Sequence, residues 1–444
     1  MTSHDVVWSY ALAPDVTMHE SPDGTLLRSA AGQMGIEPAE VELAKRLADG
    51  GCSHAELSAA SAEASDAAIR GAALLFRLDQ AGLLTRRLSS GGRRLASCIP
   101  LRAAPGPQPH SPPEGPLVLS PHAMVRIEPN AIAIEAPGAW ARMTLDDRHL
   151  LPLLHDLSVD RSLTELTAAL PSYSADAIHS VLALMRWCDV LDSHVRHGWP
   201  AHDLLFHTHT RAGYARTLRG KIGPRGNRSV PSVPLPAADT SRIPLERPDV
   251  SQLRAQDPPH AVVAERRRSI REHGSPPLTI GQLSEFLFRT LHERNGWRPY
   301  PSAGSCYPLN AYLAVHRCDG LSSGLYAYDP VAHELITVAE PSPTLDRLLA
   351  DAAGAAAVER PPQILVVLAA QHERSRRSYP DISYNLILKE VGAVFQTAMM
   401  AAAAMGLASC PLGGGNTLLF AALTGLDPMV ESSVGELMLG SPAD

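Results

Sequence analysis

The sequence predicts an α+β protein in which two tandem winged-helix-like domains precede a C-terminal domain on a mixed, mainly antiparallel sheet wrapped by helices. Three observations carry this expectation. Two proline-rich stretches, Pro100–Pro116 and Pro224–Pro248, break the hydrophobic periodicity and divide the chain. The segments ahead of the second stretch repeat each other. Beyond it, short apolar runs alternate with Gly/Pro turns and one Ala-rich helical stretch, 393–407. The expected organisation is 1–99 and 117–200 for the two repeats, 201–249 for a linker and 250–444 for the C-terminal domain.

The repeat is read from a constant offset of 109 residues. Ser53-His-Ala-Glu-Leu-Ser-Ala-Ala60 aligns with Ser162-Leu-Thr-Glu-Leu-Thr-Ala-Ala169, and in the same register Ile69 meets Ile178, Leu75 meets Leu184 and Arg77 meets Arg186. Each copy begins with strand-like residues, Val16–Leu27 and Val125–Ala136. Three helices follow, about 37–49, 54–61 and 65–81 in the first copy, then 145–157, 162–170 and 174–190 in the second. A hairpin plus three helices is winged-helix-like. A DNA-reading helix would carry a stripe of Lys or Arg, whereas here Arg70, Arg77 and Arg186 stand beside Asp66, Asp79, Asp176 and Asp189. That pattern argues against nucleic acid. A peptide clamp is the rival reading: an extended peptide adds a strand to the hairpin edge, with its side chains against the third helix.

In the C-terminal part, strands are expected at Ala311–Val315, Gly324–Tyr328, Ile364–Ala369 and Val434–Leu439. The chain has 444 residues, 45% of them hydrophobic, and a net charge of −7, which gives no general attraction to nucleic acid or anionic membrane. The N-terminus lacks the basic and apolar regions of a signal peptide, and the run 394–408 is Ala-rich and interrupted by Gln396 and Thr397, so it reads as a packed helix with no membrane role. Six scattered cysteines without C-x-x-C spacing read as reduced thiols. A cytoplasmic location is expected.

Two turns carry the chemistry: Arg298-Pro-Tyr-Pro-Ser-Ala-Gly-Ser-Cys-Tyr-Pro-Leu-Asn310 and Met405-Gly-Leu-Ala-Ser-Cys-Pro-Leu-Gly-Gly-Gly-Asn416. Small residues in such turns let backbone groups approach a flat ligand. Upstream, Arg266-Arg-Arg-Ser-Ile-Arg271 offers guanidinium forks that suit a phosphate. A cationic anchor followed by two Gly/Ser turns is what a flavin mononucleotide (FMN) needs. On this reading Arg267, Arg268, Ser269 and Arg271 hold phosphate and ribityl oxygens. Ser302, Ala303 and Gly304 line one edge of the ring, and Leu412, Gly413 and Gly414 give backbone contacts on the other side.

These segments, with GLYAYDPVAHEL at 324–335, SYNLILKEVGAVFQTAMMAAAAMGLASCPLGGGN at 383–416 and ESSVGELMLG at 431–440, resemble the FMN-dependent azoline peptide dehydrogenases of the nitroreductase superfamily. The oxidases of cyanobactin and thiopeptide pathways are of this kind. The resemblance implies oxidation of thiazolines or oxazolines in a ribosomally made precursor peptide, recruitment through its leader by duplicated clamp domains, a cyclodehydratase partner, and a homodimer with the flavin at its interface. Oxygen is the expected oxidant, since no G-x-G-x-x-G follows a strand. Such dehydrogenases commonly place a Lys-Tyr pair where this chain has Ser378-Tyr379. Serine cannot supply the lost amine near neutral pH. Proton transfer then falls to Tyr379, with its pKa lowered by Arg376 or Arg377, or to the amine of Lys389; or the activity is weakened or redirected. An NAD(P)H-dependent flavin reductase and a non-catalytic flavoprotein scaffold of a cyclodehydratase complex are the alternative functions.

Two further clusters are weaker. His194, His197, His202, His207 and His209 have no cysteine and no ligand spacing to complete a zinc site, so no metal is expected. The basic run from Arg211 to Arg228 reads as a solvated loop or a contact with the precursor peptide.

Overall fold

In the computed structural model, residues 6–22, 24–29, 32–57, 66–106, 108, 113–115, 117–191, 199–211 and 241–443 are described. His194 and His197, and the basic run beyond Arg211, lie outside them. The chain forms two compact units, Met1–Arg219 and Gly220–Asp444.

In the N-terminal unit both copies show the same order of elements. The first has antiparallel strands Thr17–Ser21, Gly24–Ser29 and Gly32–Ile36, then helix Val41–Asp49, a helical segment at 54–57 and helix Asp66–Gln80. The second has strands Met124–Glu128, Ala131–Glu135 and Ala141–Leu145, then helices Leu151–Asp156, Leu163–Ala169 and Ala175–Trp187. The offset survives at atomic detail. The Ser53 amide and hydroxyl donate to Glu56 while the Glu56 amide donates back to the Ser53 Oγ, and Ser162 and Glu165 make the same three bonds. This reciprocal cap satisfies amides that a helix start leaves orphaned.

The copies do not stay separate. A hairpin after the first copy's third helix, Leu84–Ser90 with Arg93–Pro100, joins strand Val6–Leu12 on one side and strand Ala141–Leu145 on the other. Seven strands thus form one sheet across both copies.

The C-terminal unit is a seven-stranded sheet whose named strands all pair antiparallel, in the order Arg242–Pro244, Glu334–Ala339, Gly324–Asp329, Leu309–Val315, Ile364–Gln371, Glu431–Gly440, Ala408–Pro411. All four expected strands are present. The edge strands Arg242–Pro244 and Ala408–Pro411, and Glu334–Ala339, were not anticipated. The stretch 201–249 is more than a connector, since it supplies helix Ala201–His209 and the first edge strand.

Alternation in the central strands sorts side chains to two cores. Leu309, Ala311, Leu313 and Val315 join Ile364, Val366 and Leu368 on one face, under helices Ile280–Thr290 and Ser383–Ala404. Tyr312 and Ala314 join Leu365 and Val367 on the other, under helices Pro343–Ala356 and Thr417–Thr424. Because helices cover both faces, these strands read as continuous apolar runs. Helix Ser383–Ala404 is long and apolar enough to cross a membrane by composition, yet it buries Ile387, Val391, Val394, Ala398 and Ala402 against the sheet.

Candidate flavin site

Helix His260–Arg266 ends where the arginine run begins, and the Arg267 amide closes its last turn on the Val263 carbonyl. The Ile270 amide then donates to the Ser409 carbonyl at 2.9 Å. That one bond ties the arginine segment to the strand leading into the glycine loop 412–415. Arg268, Ser269 and Arg271 are exposed and Arg267 is half-buried. None of the three guanidinium groups has a hydrogen-bonding or ion-pair partner among the described residues. Unpaired guanidinium forks on a segment bonded to that strand fit a phosphate-bearing ligand, and Arg271 lines a second cavity with Arg317 and Arg360.

At the loop itself, Gly413 and Gly414 are exposed, and a Cβ on either would meet open space. Their amides are accessible. Leu412 differs, since it is buried and its amide already donates to the Glu436 carbonyl at 2.8 Å, so only its carbonyl and side chain remain for a ligand. Gly415 packs closely on Glu436, since a Cβ there would lie 2.0 Å from the carboxyl carbon and would force that side chain to move. A cavity of about 500 Å³ opens behind the loop, between Leu348, Asp351, Gly414, Gly415, Asn416 and Glu436.

The other turn is held from beneath. Gly304, Ser305 and Tyr307 all take positive φ (59°, 55° and 44°), a costly conformation for the two non-glycine residues. Two contacts fix it. The Tyr307 amide donates to Ser302 Oγ at 2.9 Å, and buried Arg374 donates to the Tyr307 carbonyl at 3.1 Å. Ser302 therefore anchors the turn. Gly304 meets Tyr379: a Cβ at 304 would lie 2.8 Å from the tyrosine hydroxyl. The structure thus brings Ala303, Gly304 and Tyr379 together from segments 75 residues apart in sequence.

The electrostatics of Tyr379 run opposite to the expected lowering. Arg376 and Arg377 both pair with Glu373, at 2.6 and 2.9 Å. Burial, with the nearby Cys306 thiol, raises the Tyr379 pKa. Near neutral pH the hydroxyl keeps its proton and acts as a donor. Ser378, in the position of the usual lysine, is fully buried. Lys389 is exposed on helix Ser383–Ala404, and its amine makes no hydrogen bond or ion pair to a described residue.

Its neighbour Glu390 is the residue that sequence reasoning missed. It is 5% exposed, and its Oε1 has no hydrogen-bond partner among the described residues. Burial raises its pKa to about 7, against the opposing pull of the Ser302 hydroxyl and the Arg298 guanidinium. A carboxyl near neutrality, under the turn that touches Tyr379, is a proton acceptor in waiting. The only signal in the sequence was a glutamate inside an apolar helical run.

The remaining histidines have ordinary roles. His209 pairs with Glu135 at 2.7 Å, which raises its pKa, and His207 packs on Trp199.

Comparison with known proteins gives two family matches. The Nitroreductase family profile covers residues 264–441, and the profile of the cyanobactin oxidase ThcOx covers 117–216. A nitroreductase-type protein of Methanocaldococcus jannaschii is 32% identical over 181 residues, which are 39% of this chain and 85% of that protein. Among solved structures, a nitroreductase-type protein of Ralstonia eutropha JMP134 is 24% identical over 51% of this chain and 97% of its own, at a TM-score of 0.38. A chain of the Escherichia coli microcin synthetase McbBCD complex, solved with truncated pro-MccB17 bound, is 21% identical over 48% of this chain and 78% of its own, at a TM-score of 0.36.

Proposed function

The chain belongs to the nitroreductase family and uses FMN as its cofactor, and from that premise we propose that it oxidises thiazoline or oxazoline rings to azoles in a ribosomally made peptide. One observation carries the narrower reading. The cyanobactin oxidase profile matches residues 117–216, outside the flavin domain, so the resemblance extends to the module that an ordinary nitroreductase lacks.

Bound FMN supplies the two-electron acceptor, with oxygen as the proposed final oxidant. Arg267, Arg268, Ser269 and Arg271 bind the phosphate and ribityl end. Gly413 and Gly414 offer backbone groups to the ring, and Ala303 and Gly304 border the place where the azoline stacks. Aromatisation takes a proton from one ring carbon and a hydride from its neighbour. Tyr379, protonated at neutral pH, orients the ring heteroatom by donating a hydrogen bond; Glu390 lies beneath as the group able to take up the proton. Lys389 remains the alternative base. A homodimer is proposed, with the exposed stripe Leu388, Gly392 and Gln396 as its helix face. A cytoplasmic location and a cyclodehydratase partner complete the reading.

The test is aerobic incubation with a thiazoline peptide, with and without its leader. A yellow protein that removes about 2 Da, the mass of two hydrogens, supports the proposal. NADH oxidation without mass change would favour a reductase, and bound flavin with neither activity would favour a scaffold. A second prediction concerns the anchor. Joint Arg267→Ala and Arg271→Ala replacement removes two charge-assisted contacts at roughly 1.5–3 kcal/mol each, so FMN affinity should fall by at least about 10²-fold. Flavin fluorescence titration measures it; unchanged affinity would place the phosphate elsewhere.

A further inference from the structure

The two N-terminal copies differ in one respect that their shared ancestry makes informative. In the second copy the outer edge of strand Ala141–Leu145 is filled by the chain's own strand Arg93–Pro100, which pairs antiparallel from Ala141↔Pro100 to Leu145↔Ala96. That added strand also packs at the end of the third helix, where Cys98 Sγ sits 3.4 Å from the Sγ of the capping residue Cys188. Beneath it the helix buries Ile178, Val181, Leu182 and Met185, each 0% exposed, in one cluster with Leu88, Leu95, Ala96 and Cys98. The second copy is thus a clamp closed on an extended strand, and the strand comes from the first copy's own hairpin.

The first copy has the same parts without the occupant. Strand Gly32–Ile36 falls at the position of Ala141–Leu145 after the 109-residue shift, and among the described residues only strand Gly24–Ser29 pairs with it. On helix Asp66–Gln80 the counterparts of the four buried residues are Ile69, Ala72, Ala73 and Phe76. All four are exposed, Ile69 at 69% and Phe76 at 66%. Their spacing of i, i+3, i+4 and i+7 puts them on one helical face. Arg77, on the same helix, donates to the Gly35 carbonyl at 2.7 Å, which holds helix and strand side by side as the walls of a groove. Among the described residues no strand of the second copy returns the favour, because residues 202–209, which correspond to Arg93–Pro100, are helical.

We propose that the first copy alone is the peptide-accepting clamp: an extended apolar segment of the peptide substrate adds antiparallel to Gly32–Ile36 and seats its side chains over Ile69, Ala72, Ala73 and Phe76. The second copy is closed to outside peptide and serves as scaffold. This rests on the peptide-dehydrogenase reading for the identity of the occupant; the chain's own strand in the second copy supplies the form of it.

The probe is a fluorescein-labelled peptide copying Arg93–Pro100, with serine for Cys98, added to the full-length protein. Fluorescence polarisation should show saturable binding that weakens at least about tenfold in Phe76→Asp and is retained in Phe76→Leu. Phe76 is exposed, so the change leaves the fold intact. Amide exchange should slow at 32–36 and stay unchanged at 141–145. Absent binding, binding indifferent to Phe76→Asp, or protection at 141–145 overturns the proposal. So does a concentration-dependent self-association that Phe76→Asp abolishes, which would make the groove an interface between copies. Turnover of a leaderless thiazoline peptide is independent of this result, so the clamp and the dehydrogenase can fail separately.

Discussion

Changing Tyr379 to phenylalanine is expected to lower kcat for azoline oxidation by about 10²–10³-fold while FMN stays bound, the usual scale for removing one positioned hydrogen-bond donor. The basis is geometric. The hydroxyl stands against Gly304, in the turn proposed to border the azoline, and its raised pKa keeps it a donor. Phenylalanine keeps the ring and removes only the hydroxyl, so the absorption spectrum of the flavin should be unaltered. Lys389→Ala is the companion measurement. If it abolishes turnover while Tyr379→Phe does not, the exposed amine takes the role and the assignment of Tyr379 is wrong.

Replacing Glu390 by glutamine should have the second large effect, and its sign follows from the pKa. Burial raises the carboxyl from 4.5 to about 7, so the folded protein holds this proton more tightly than the unfolded chain. The favourable contribution is complete below about pH 4.5 and is lost as pH rises through about 7. Above that, the fold carries a buried charge beside Arg298 that only partly compensates it. Glu390→Gln removes this titration. The variant's stability relative to the parent should therefore rise between pH 4.5 and 7 and level off, gaining on the order of 3 kcal/mol. Denaturant melts across that range measure it, and a difference independent of pH would show that Glu390 is not buried in this way. Catalysis should respond in the opposite direction. The acidic limb of kcat, centred near pH 7 in the parent, should disappear together with most of the rate, because glutamine cannot accept the proton.

Much of this was legible in the residues. Strands Leu309–Val315 and Ile364–Gln371 announce themselves as unbroken apolar runs between turn residues, and covering both sheet faces with helices requires that pattern. The short edge strand Arg242–Pro244 was hidden because three residues beside a proline carry no period; it forms only because Glu334–Leu335–Ile336 offers partners. Ala408–Pro411 was likewise masked by the loop chemistry around it. At the site, the arginine run and both glycine turns were found from composition, but their meaning depends on partners. Arg376 and Arg377 looked like neighbours able to acidify Tyr379 and are instead turned to Glu373. Leu412 looked like a free backbone donor and has its amide committed to the sheet. Glu390 gave no motif, since its pKa is raised by burial, against the pull of Ser302 and Arg298, which are distant in sequence.

By itself the sequence determined the local and the repeated: helix starts capped by Ser53–Glu56 and Ser162–Glu165, the duplication at 109 residues, the apolar strands, and the glycines where the backbone must turn or approach closely. These follow from short-range sterics and periodicity, which each segment carries with it. The tertiary structure alone decided which copy of the duplicated module is filled, which arginines are free, where Tyr379 meets Gly304, and that a carboxyl lies buried beneath them. Each is a matter of what distant segments bring to one place, and burial and pairing exist only once the chain has closed on itself.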